Sequence, residues 1–431
     1  MINFKEINSE DLKFKESFTS FLSKRNLFSD EVSGTVRDII FQIRTNGDEA
    51  LKFFTKEFDN YDAEEFVVSE KEINQILKSF DGNLLQSFEF AFDKIFNYQI
   101  ECLESINLDG TGKDITRKFR SIESVGMYIP GGKASYPSTV LMGAAPAIAC
   151  GVKNISIVSP AQKGKLNPMT IAAAKVVGID KIYKIGGAQA VAALALGTEQ
   201  ISKVDKIIGP GNVFVAEAKK QLFGEVGIDS IAGPSEIVVL ADETSDPETI
   251  AWDLMAQSEH DSDASSILIS TSKNIIENVK DIIASEASSL ERHSIIEDSL
   301  NSNGLLVKIN DLTEAKDIIN QLAPEHLHIA FDHNDYKHEE ELIAGLILKG
   351  RDSANSFSDY VLGPSHILPT NSSSRFSSPL SVEDFLISYS YVALDRKNNK
   401  NFEDFIEHTS RIAEAEGLTA HAIAAKKRLD S

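Results

Sequence analysis

The sequence predicts an α/β protein built on parallel, doubly wound sheets, and three observations carry that prediction. Short aliphatic runs alternate with helical, often Ala-rich stretches from about residue 124 to 348. Glycine turns stand where strands give way to helices, at Gly186-Gly-Ala-Gln189 and Gly209-Pro-Gly-Asn212. The 431-residue chain is also too long for one ordinary core, so more than one globular unit is expected.

Residues up to about 120 read as helices. Ser29–Gly47 places Val32, Val36, Ile39, Ile40 and Ile43 close to a helical period. Glu70–Phe80 and Leu84–Tyr98 follow, the second with Phe88, Phe92, Ile95 and Phe96 on one side. No chemistry is visible there. The character changes at Ser124, where Val125–Ile129 reads as a strand running into the turn Tyr128-Ile-Pro-Gly-Gly-Lys133. Further strands are predicted at Asn154–Ser159, Lys181–Ile185, Lys206–Ile208 and Val226–Asp229. Helices at Val140–Cys150, Pro168–Val177, Ala190–Leu196 and Val213–Phe223 separate them. Ligands of such sheets bind at the carboxyl ends of the strands, where the two glycine turns stand. Each turn lets backbone approach a ligand and offers one amide, Gln189 or Asn212; neither matches the G-x-G-x-x-G fingerprint.

A second alternation follows, with strands at Ile237–Ala241, Ser266–Ser270, Leu305–Ile309, His328–Phe331 and Gly345–Leu348. Its helices are predicted at Pro247–Ser258, Asn274–Ser288, Leu312–Leu322 and Asp335–Leu342. Residues 353–381 are rich in Ser, Pro and Asn, and a loop this long in a compact protein is functional or disordered. After a short strand, Tyr389–Leu394, the chain ends in the helix Phe402–Glu416, a Gly417 stop and a last helix from Thr419 to about Leu429.

Composition excludes several classes. A net charge of −22 argues against a nucleic-acid partner, which needs a basic surface to displace counterions. Cys102 and Cys150 form neither a disulfide framework nor a metal spacing, which fits a reducing compartment. The N-terminal residues lack a basic-then-apolar signal pattern, and the longest apolar run, Val140–Cys150, is too short for a bilayer. A cytoplasmic protein without a membrane partner is expected.

The stretch Ile228–Asp261 concentrates suggestive residues. A Gly-Pro turn with Ser235 leads into a buried strand, and in the following helix Gln257 and His260 share a face with Ile250, Asp253 and Leu254. Alone, this pair reads more readily as a surface amide and a capped, satisfied histidine than as a functional site. Glu325 and His326 adjoin at a strand mouth, and Asp359 and His366 bracket the Gly-Pro of D-Y-V-L-G-P-S-H. Glu416 and His421 flank the Gly417 break, which lets two residues five apart converge. His293, His328, His333, His338 and His408 read as ordinary surface or edge histidines. His260, His421, Asp359 and Gln257 would suit Zn²⁺ or Mn²⁺ better than Ca²⁺ or Mg²⁺. Spacing does not select these four over other combinations, and a zinc hydrolase fits as well as a dehydrogenase.

Together the motifs resemble the histidinol dehydrogenase family over nearly the whole chain and in the family's order. They are Y-I-P-G-G at 128–132, G-G-A-Q-A at 186–190, G-P-G-N at 209–212, I-D-S-I-A-G-P-S-E at 228–236 and Q-S-E-H-D at 257–261. Then come A-P-E-H-L at 323–327, H-I-L-P-T at 366–370, R-F-S-S at 375–378, L-S-V-E-D-F at 380–385 and E-G-L-T-A-H at 416–421. The resemblance implies oxidation of L-histidinol through L-histidinaldehyde to L-histidine, ending histidine biosynthesis, with two hydrides passed to two NAD in succession. It implies one Zn²⁺ per subunit held by Gln257, His260, Asp359 and His421, which also bind substrate. His326 would be the general base and Glu325 would activate water. Ser235, His366 and Glu416 would line the substrate pocket, and Tyr128, Gln189 and Asn212 would contact NAD. A dehydrogenase of another small polar alcohol remains an alternative.

The implied architecture is two Rossmann-like doubly wound units with helical N-terminal and C-terminal extensions. These are an arm at 1–24, a discontinuous unit of 25–127 and 234–380 with the metal and catalytic residues, a unit of 128–233 with the NAD loops, and a tail of 381–431. In a homodimer the tail would cross to complete the partner's site. Ser358 stands where a Gly commonly precedes Asp-Tyr, Ser365 where an Asn precedes the His, Asn371–Ser374 replaces a glycine-rich turn, and Pro379 a common Gly.

Overall fold

A computed structural model describes residues 2–23, 29–106, 108, 114–131, 136–332, 336 and 338–429. The elements begin with β1 (Lys5–Asn8), α1 (Phe14–Ser23), α2 (Asp30–Asn46), α3 (Asp48–Asp59), α4 (Glu70–Lys78), α5 (Gly82–Ser105) and β2 (Ile115–Ser121). Next come β3 (Ser124–Tyr128), α6 (Pro137–Ala149), β4 (Asn154–Ser159), α7 (Pro168–Val176), β5 (Ile182–Lys184), α8 (Gly187–Leu196), β6 (Lys206–Ile208), α9 (Val213–Leu222) and β7 (Gly227–Ile228). The chain continues through β8 (Glu236–Ala241), α10 (Pro247–Ser258), β9 (Ser265–Ser270), α11 (Lys273–Glu286), α12 (His293–Asn303), β10 (Leu305–Lys308), α13 (Ala315–Leu322), β11 (His326–Ile329) and β12 (Leu346–Lys349). It ends with α14 (Asn355–Ser358), β13 (Leu386–Val392), α15 (Phe402–Ala415) and α16 (Thr419–Lys426). Among the described residues no helix is long and apolar enough to cross a membrane.

The chain divides into two units, Met1–Ser105 with Ser121–Phe385, and Ile106–Arg120 with Leu386–Ser431. The first holds a five-stranded sheet of order β5-β4-β3-β6-β7 and a six-stranded sheet of order β1-β10-β9-β8-β11-β12. Every pairing in both is parallel. The strands β3 and β8 lie inside their sheets, and the chain winds from each to one side and then to the other. Helices cover both faces, as parallel strands buried on both sides require. On the five-stranded sheet, Ile95 of α5 and Ala144 of α6 share one core with Met127, while Ile43 of α2, Leu51 of α3 and Val191 of α8 share the other with Ile207. On the six-stranded sheet, α10, α11 and α12 lie on one side and α1 and α13 on the other.

Several expectations are corrected. Lys5–Asn8, read as part of a helical arm at 1–24, is an edge strand paired with β10 about 300 residues away. The helices of residues 30–105, expected in the same unit as 234–380, bury their apolar stripes on the five-stranded sheet instead. Gly47, at φ +51, ends α2 and lets α3 start at once, an element the periodicity did not separate. The helix α12 was not foreseen. The predicted helix Asp335–Leu342 lies partly outside the described residues, and the rest contains only a short 3-10 turn, Glu339–Glu341. His333 and the turn residues Gly132 and Lys133 also lie outside the described residues.

The long segment 353–381 is neither structureless nor loose. It contains α14, and Thr370 accepts the Gly233 N–H while the Asn371 N–H donates to Glu236 Oε1 at 3.2 Å. Asn371 and Ser372 adopt φ +53 and +63, the left-handed region that favours glycine. Hydrogen bonds to Glu236 and, from the Ser372 hydroxyl, to the Leu322 carbonyl accompany this strain.

The second unit pairs β2 with β13 and packs α15 on α16 through Ile406, Ala413 and Ala422. The strand β2 lies where helices were expected, because its alternating charged sequence has no apolar face to announce it. Tyr389, Tyr391, Ile412, Leu418 and Ile423 are exposed on this unit.

Candidate active site

The amino ends of β8 and β11 lie side by side, with His326 in register with Ile237. Ser235 and Glu236 therefore meet Glu325 and His326. Glu325 is buried, and its carboxylate accepts the Glu236 N–H at 2.8 Å and the Ser235 hydroxyl. Burial, reinforced by the charges of Glu236 and Asp359, pushes its carboxyl well above the usual range. His326 donates from Nδ1 to the Glu236 carbonyl at 3.2 Å. That bond fixes the tautomer and leaves Nε2, buried and without a hydrogen-bond partner, 3.8 Å from Asp359 Oδ1. Burial holds the ring's pKa down at about 3, and neighbouring His260 and His366 lower it further, so the imidazole is neutral.

The other residues converge from separate elements. Helix α10 starts with Asp246 as N-cap and Pro247 in its first turn, which sets Gln257 on the buried side near its end. Asn355 of α14 donates to Gln257 Oε1 at 3.4 Å. His260 stands just past the helix, its ring stacked on Tyr136 with centroids 6.3 Å apart. Arg292 donates to its carbonyl at 3.3 Å, and burial depresses the imidazole's pKa. His366 donates from Nδ1 to the Asp359 carbonyl at 2.9 Å and accepts from Thr139 at 3.2 Å. Its pKa is held down at about 4 by burial. Burial, aided by Asp253, pushes the Asp359 carboxyl up to about 7. Ser358, beside it, donates to the Asn355 carbonyl at 2.6 Å.

A buried carboxylate beside uncharged imidazoles and an amide is a mixed N/O donor set that fits a divalent cation. Among the described residues no three His, Cys, Asp or Glu side chains stand close enough to form a metal cluster. In this unit the set is His260 and Asp359 with the amide of Gln257. Glu416 and His421 belong to the other unit, exposed on either side of Gly417, whose φ of +76 breaks α15 from α16.

The cofactor-type loops stand at the carboxyl edge of the five-stranded sheet. Tyr128 ends β3 and is buried; its hydroxyl accepts the Gly187 N–H at 3.1 Å, and burial pushes its pKa up to about 12. A Cβ on Gly187 would lie 2.5 Å from Gln189 Oε1, and one on Gly209 would lie 2.1 Å from the Tyr128 carbonyl. Gln189 is 1% exposed, and its amide oxygen has no donor. Asn212 is exposed and uses its amide oxygen to cap α9, accepting from Phe214 and Val215 at 3.1 Å each. A cradle closed to side chains, with one amide oxygen unpaired, fits a cofactor that needs close backbone approach.

Two features escaped sequence reading. The Gly209 peptide is clamped at both ends: its N–H donates to Asp229 at 2.7 Å, and its carbonyl accepts from Lys219 at 3.0 Å. Lys219 and Asp229 are themselves a buried ion pair. His328, expected at a surface or edge, is 1% exposed and bonded at both ring nitrogens. The alternation in His-Leu-His-Ile, which puts His326 and His328 on one side of a strand, was the available signal. The six-stranded sheet offers its other edge. Its candidate residues occupy the amino edge, because Glu325 and His326 begin β11 rather than follow it.

A sequence profile of the histidinol dehydrogenase family matches residues 22–429. The chain is 44% identical over 404 residues to a histidinol dehydrogenase of Oceanobacillus iheyensis, covering 93% of this chain and 94% of that protein. Identity to the Methanocaldococcus jannaschii enzyme of that name is 41% over 424 residues, 96% of each chain. The crystal structure of histidinol dehydrogenase from Elizabethkingia anophelis superposes with a TM-score of 0.92 at 32% identity, covering 100% of this chain and 99% of that one. The chain belongs to the histidinol dehydrogenase family.

Proposed function

We propose that this chain oxidises L-histidinol through L-histidinaldehyde to L-histidine, using zinc and two molecules of NAD in succession, in the cytoplasm. The observation that carries this reading is the state of His326. With Nδ1–H held by the Glu236 carbonyl, Nε2 keeps its lone pair in a dry setting and can take the proton of an alcohol as hydride departs. The same carbonyl then stabilises the imidazolium that forms. Glu325, lifted above the ordinary carboxylate range, is a correspondingly stronger base for the water that hydrates the aldehyde before the second oxidation. Ser235, His366 and Glu416 line the substrate pocket.

Gln257, His260, Asp359 and His421 would hold zinc, and Tyr128, Gln189 and Asn212 would serve NAD. Tyr128 does so from beneath, by fixing the Gly187 peptide. When bound, zinc supplies a fixed template for the substrate's imidazole and amine without changing redox state, and NAD supplies the hydride acceptor in each oxidation. Both sheets are Rossmann-like in this reading, and the five-stranded one binds the dinucleotide at its switch point between β3 and β6. The tail from 381 crosses between the subunits of a homodimer, which brings His421 and Glu416 to the partner's site. Its exposed apolar side chains are what such an exchange would cover.

The test is to supply purified protein with limiting L-histidinol and excess NAD. About two NADH per substrate are expected from the two-step chemistry, with activity lost on chelation and regained with zinc. No NADH at any zinc content would overturn the reading.

A further inference from the structure

Asp253 and His328 are buried and have no part in the substrate, metal or cofactor sets described above. Asp253 lies on α10 one turn before Gln257 and on the same face, and the chain reaches His260 just past the end of the helix. His328 follows His326 by two residues in β11 and so shares its side of the strand. The imidazole joins the two elements. Nδ1–H donates to Asp253 Oδ2 at 2.7 Å, and Nε2–H donates to the Gly350 carbonyl at 3.0 Å. Both nitrogens face acceptors, so both carry hydrogen, and the ring is an imidazolium paired with a carboxylate.

Gly350 follows β12, and its turn leads through Ser353, which also donates to the Gly350 carbonyl, into α14 and Asp359. Arg351 in the same turn pairs with Asp246, the N-cap of α10, at 2.8 Å. His328 therefore bonds the helix that carries Gln257 and leads to His260, and the turn that leads to Asp359, from the strand that carries His326. A buried ion pair is a poor source of net stability, because desolvation offsets its attraction. At a junction of three segments it selects one arrangement of them.

We propose that Asp253 and His328 are positioning residues, a hydrogen-bonded brace that sets the spacing between the base His326 and the residues Gln257, His260 and Asp359. The inference rests on the oxidative reading for its kinetic measurement and stands apart from it in the spectroscopic one. The zinc-loaded protein and its cobalt-substituted form are compared for His328→Ala, Asp253→Ala and Asp253→Asn. In Asp253→Asn the amide can donate to a neutral ring at Nδ1 while Nε2–H keeps Gly350, so the brace survives without charge.

The two alanine variants are expected to lower kcat about 10- to 100-fold, the cost of a misplacement on the order of 1 Å, with the KM for NAD unchanged. Their cobalt spectra should shift and their zinc affinity fall, while Asp253→Asn stays within about 3-fold of the parent, the range of a bond kept but weakened. The double alanine variant should be no worse than either single, as one coupled unit requires. Unaltered cobalt spectra and kcat in a folded His328→Ala, or an Asp253→Asn as damaged as Asp253→Ala, would overturn the brace. If the alanine variants do not fold, His328→Gln against Asp253→Asn decides: only the second keeps both bonds, and equal spectra and rates for the two refute the proposal. Absence of NADH from the parent defeats the oxidative reading and leaves the spectra to decide the brace.

Discussion

The six-stranded sheet offers its candidate residues at the amino ends of β8 and β11, whereas the five-stranded sheet offers its glycine turns after the carboxyl ends of β5 and β6. In a β-helix-β unit the helix starts at the carboxyl edge and finishes at the amino edge. The amino edge of one sheet thus receives the helix C-termini of α10, before His260, and of α13, before Glu325. The carboxyl edge of the other receives the helix N-termini of α8, at Gly187, and of α9, capped by Asn212. Helix C-termini carry partial negative charge and favour cations, and N-termini favour anions such as pyrophosphate. In the proposed reading, two sheets of similar winding are thereby suited to opposite ligands, a metal at one edge and a dinucleotide at the other.

Removing the proposed base, His326, tests the first edge with the largest expected effect. His326→Ala should lower kcat by about 10²- to 10⁴-fold, the usual contribution of a general base. Fluorescence titration should find NADH binding unchanged, because His326 belongs to the amino edge. Mixing this variant with His421→Ala should recover part of the activity, since one site of each hybrid dimer would keep both residues. Equal losses of rate and NADH affinity would dissolve the separation of the two edges, and no recovery in mixtures would count against a shared site.

The opposite edge is tested by the clamp on Gly209. Lys219→Met leaves Asp229 buried without its partner and should destabilise the fold by about 3–5 kcal/mol while weakening NADH binding. Replacing both residues, Lys219→Met with Asp229→Leu, should restore much of the melting temperature, because no unpaired charge remains. NADH affinity should stay low, because the Gly209 peptide is still unheld, and zinc content should match the parent in both. Recovery of NADH affinity with stability would show that the clamp serves folding alone.

How much of this was legible in the chain follows from the range of each interaction. The β-helix alternation, the helix Pro247–Ser258 that carries Gln257 and the Glu325–His326 pair are local patterns that the structure bears out, whereas His260 falls just past that helix rather than on its face. The strand β1 was hidden because four residues at a sheet edge pair with β10 from the far end of the chain. The strand β2 was obscured in the same way, through pairing across more than 260 residues with β13, the strand read at Tyr389–Leu394. Which edge of a sheet a motif meets depends on strand order and direction, and spacing holds neither. His328 looked ordinary because its partners, Asp253 and Gly350, come from two other elements.

The smallest expected effect is a difference of sign between the two halves. Burial lowers His326 and His366 to about 3 and about 4, so below their ordinary 6.5 the unfolded chain binds protons that the folded chain refuses. These groups cost stability as pH falls from about 6.5 toward 4. Asp59, at the end of α3 on the five-stranded side, behaves oppositely. Burial raises its carboxyl from 3.8 to about 6, so within that window the folded chain holds a proton the unfolded chain has released. Its penalty grows as pH rises through the window and is complete above about 6. Asp59→Asn should therefore raise the melting temperature at pH 8 by about one degree or less, in line with about 1 kcal/mol or less for a partly exposed group in a chain of this length, and leave it unchanged near pH 4. A gain of equal size at both pH values would mean that the amide improves packing, and that the buried charge of Asp59 is not what sets this half apart.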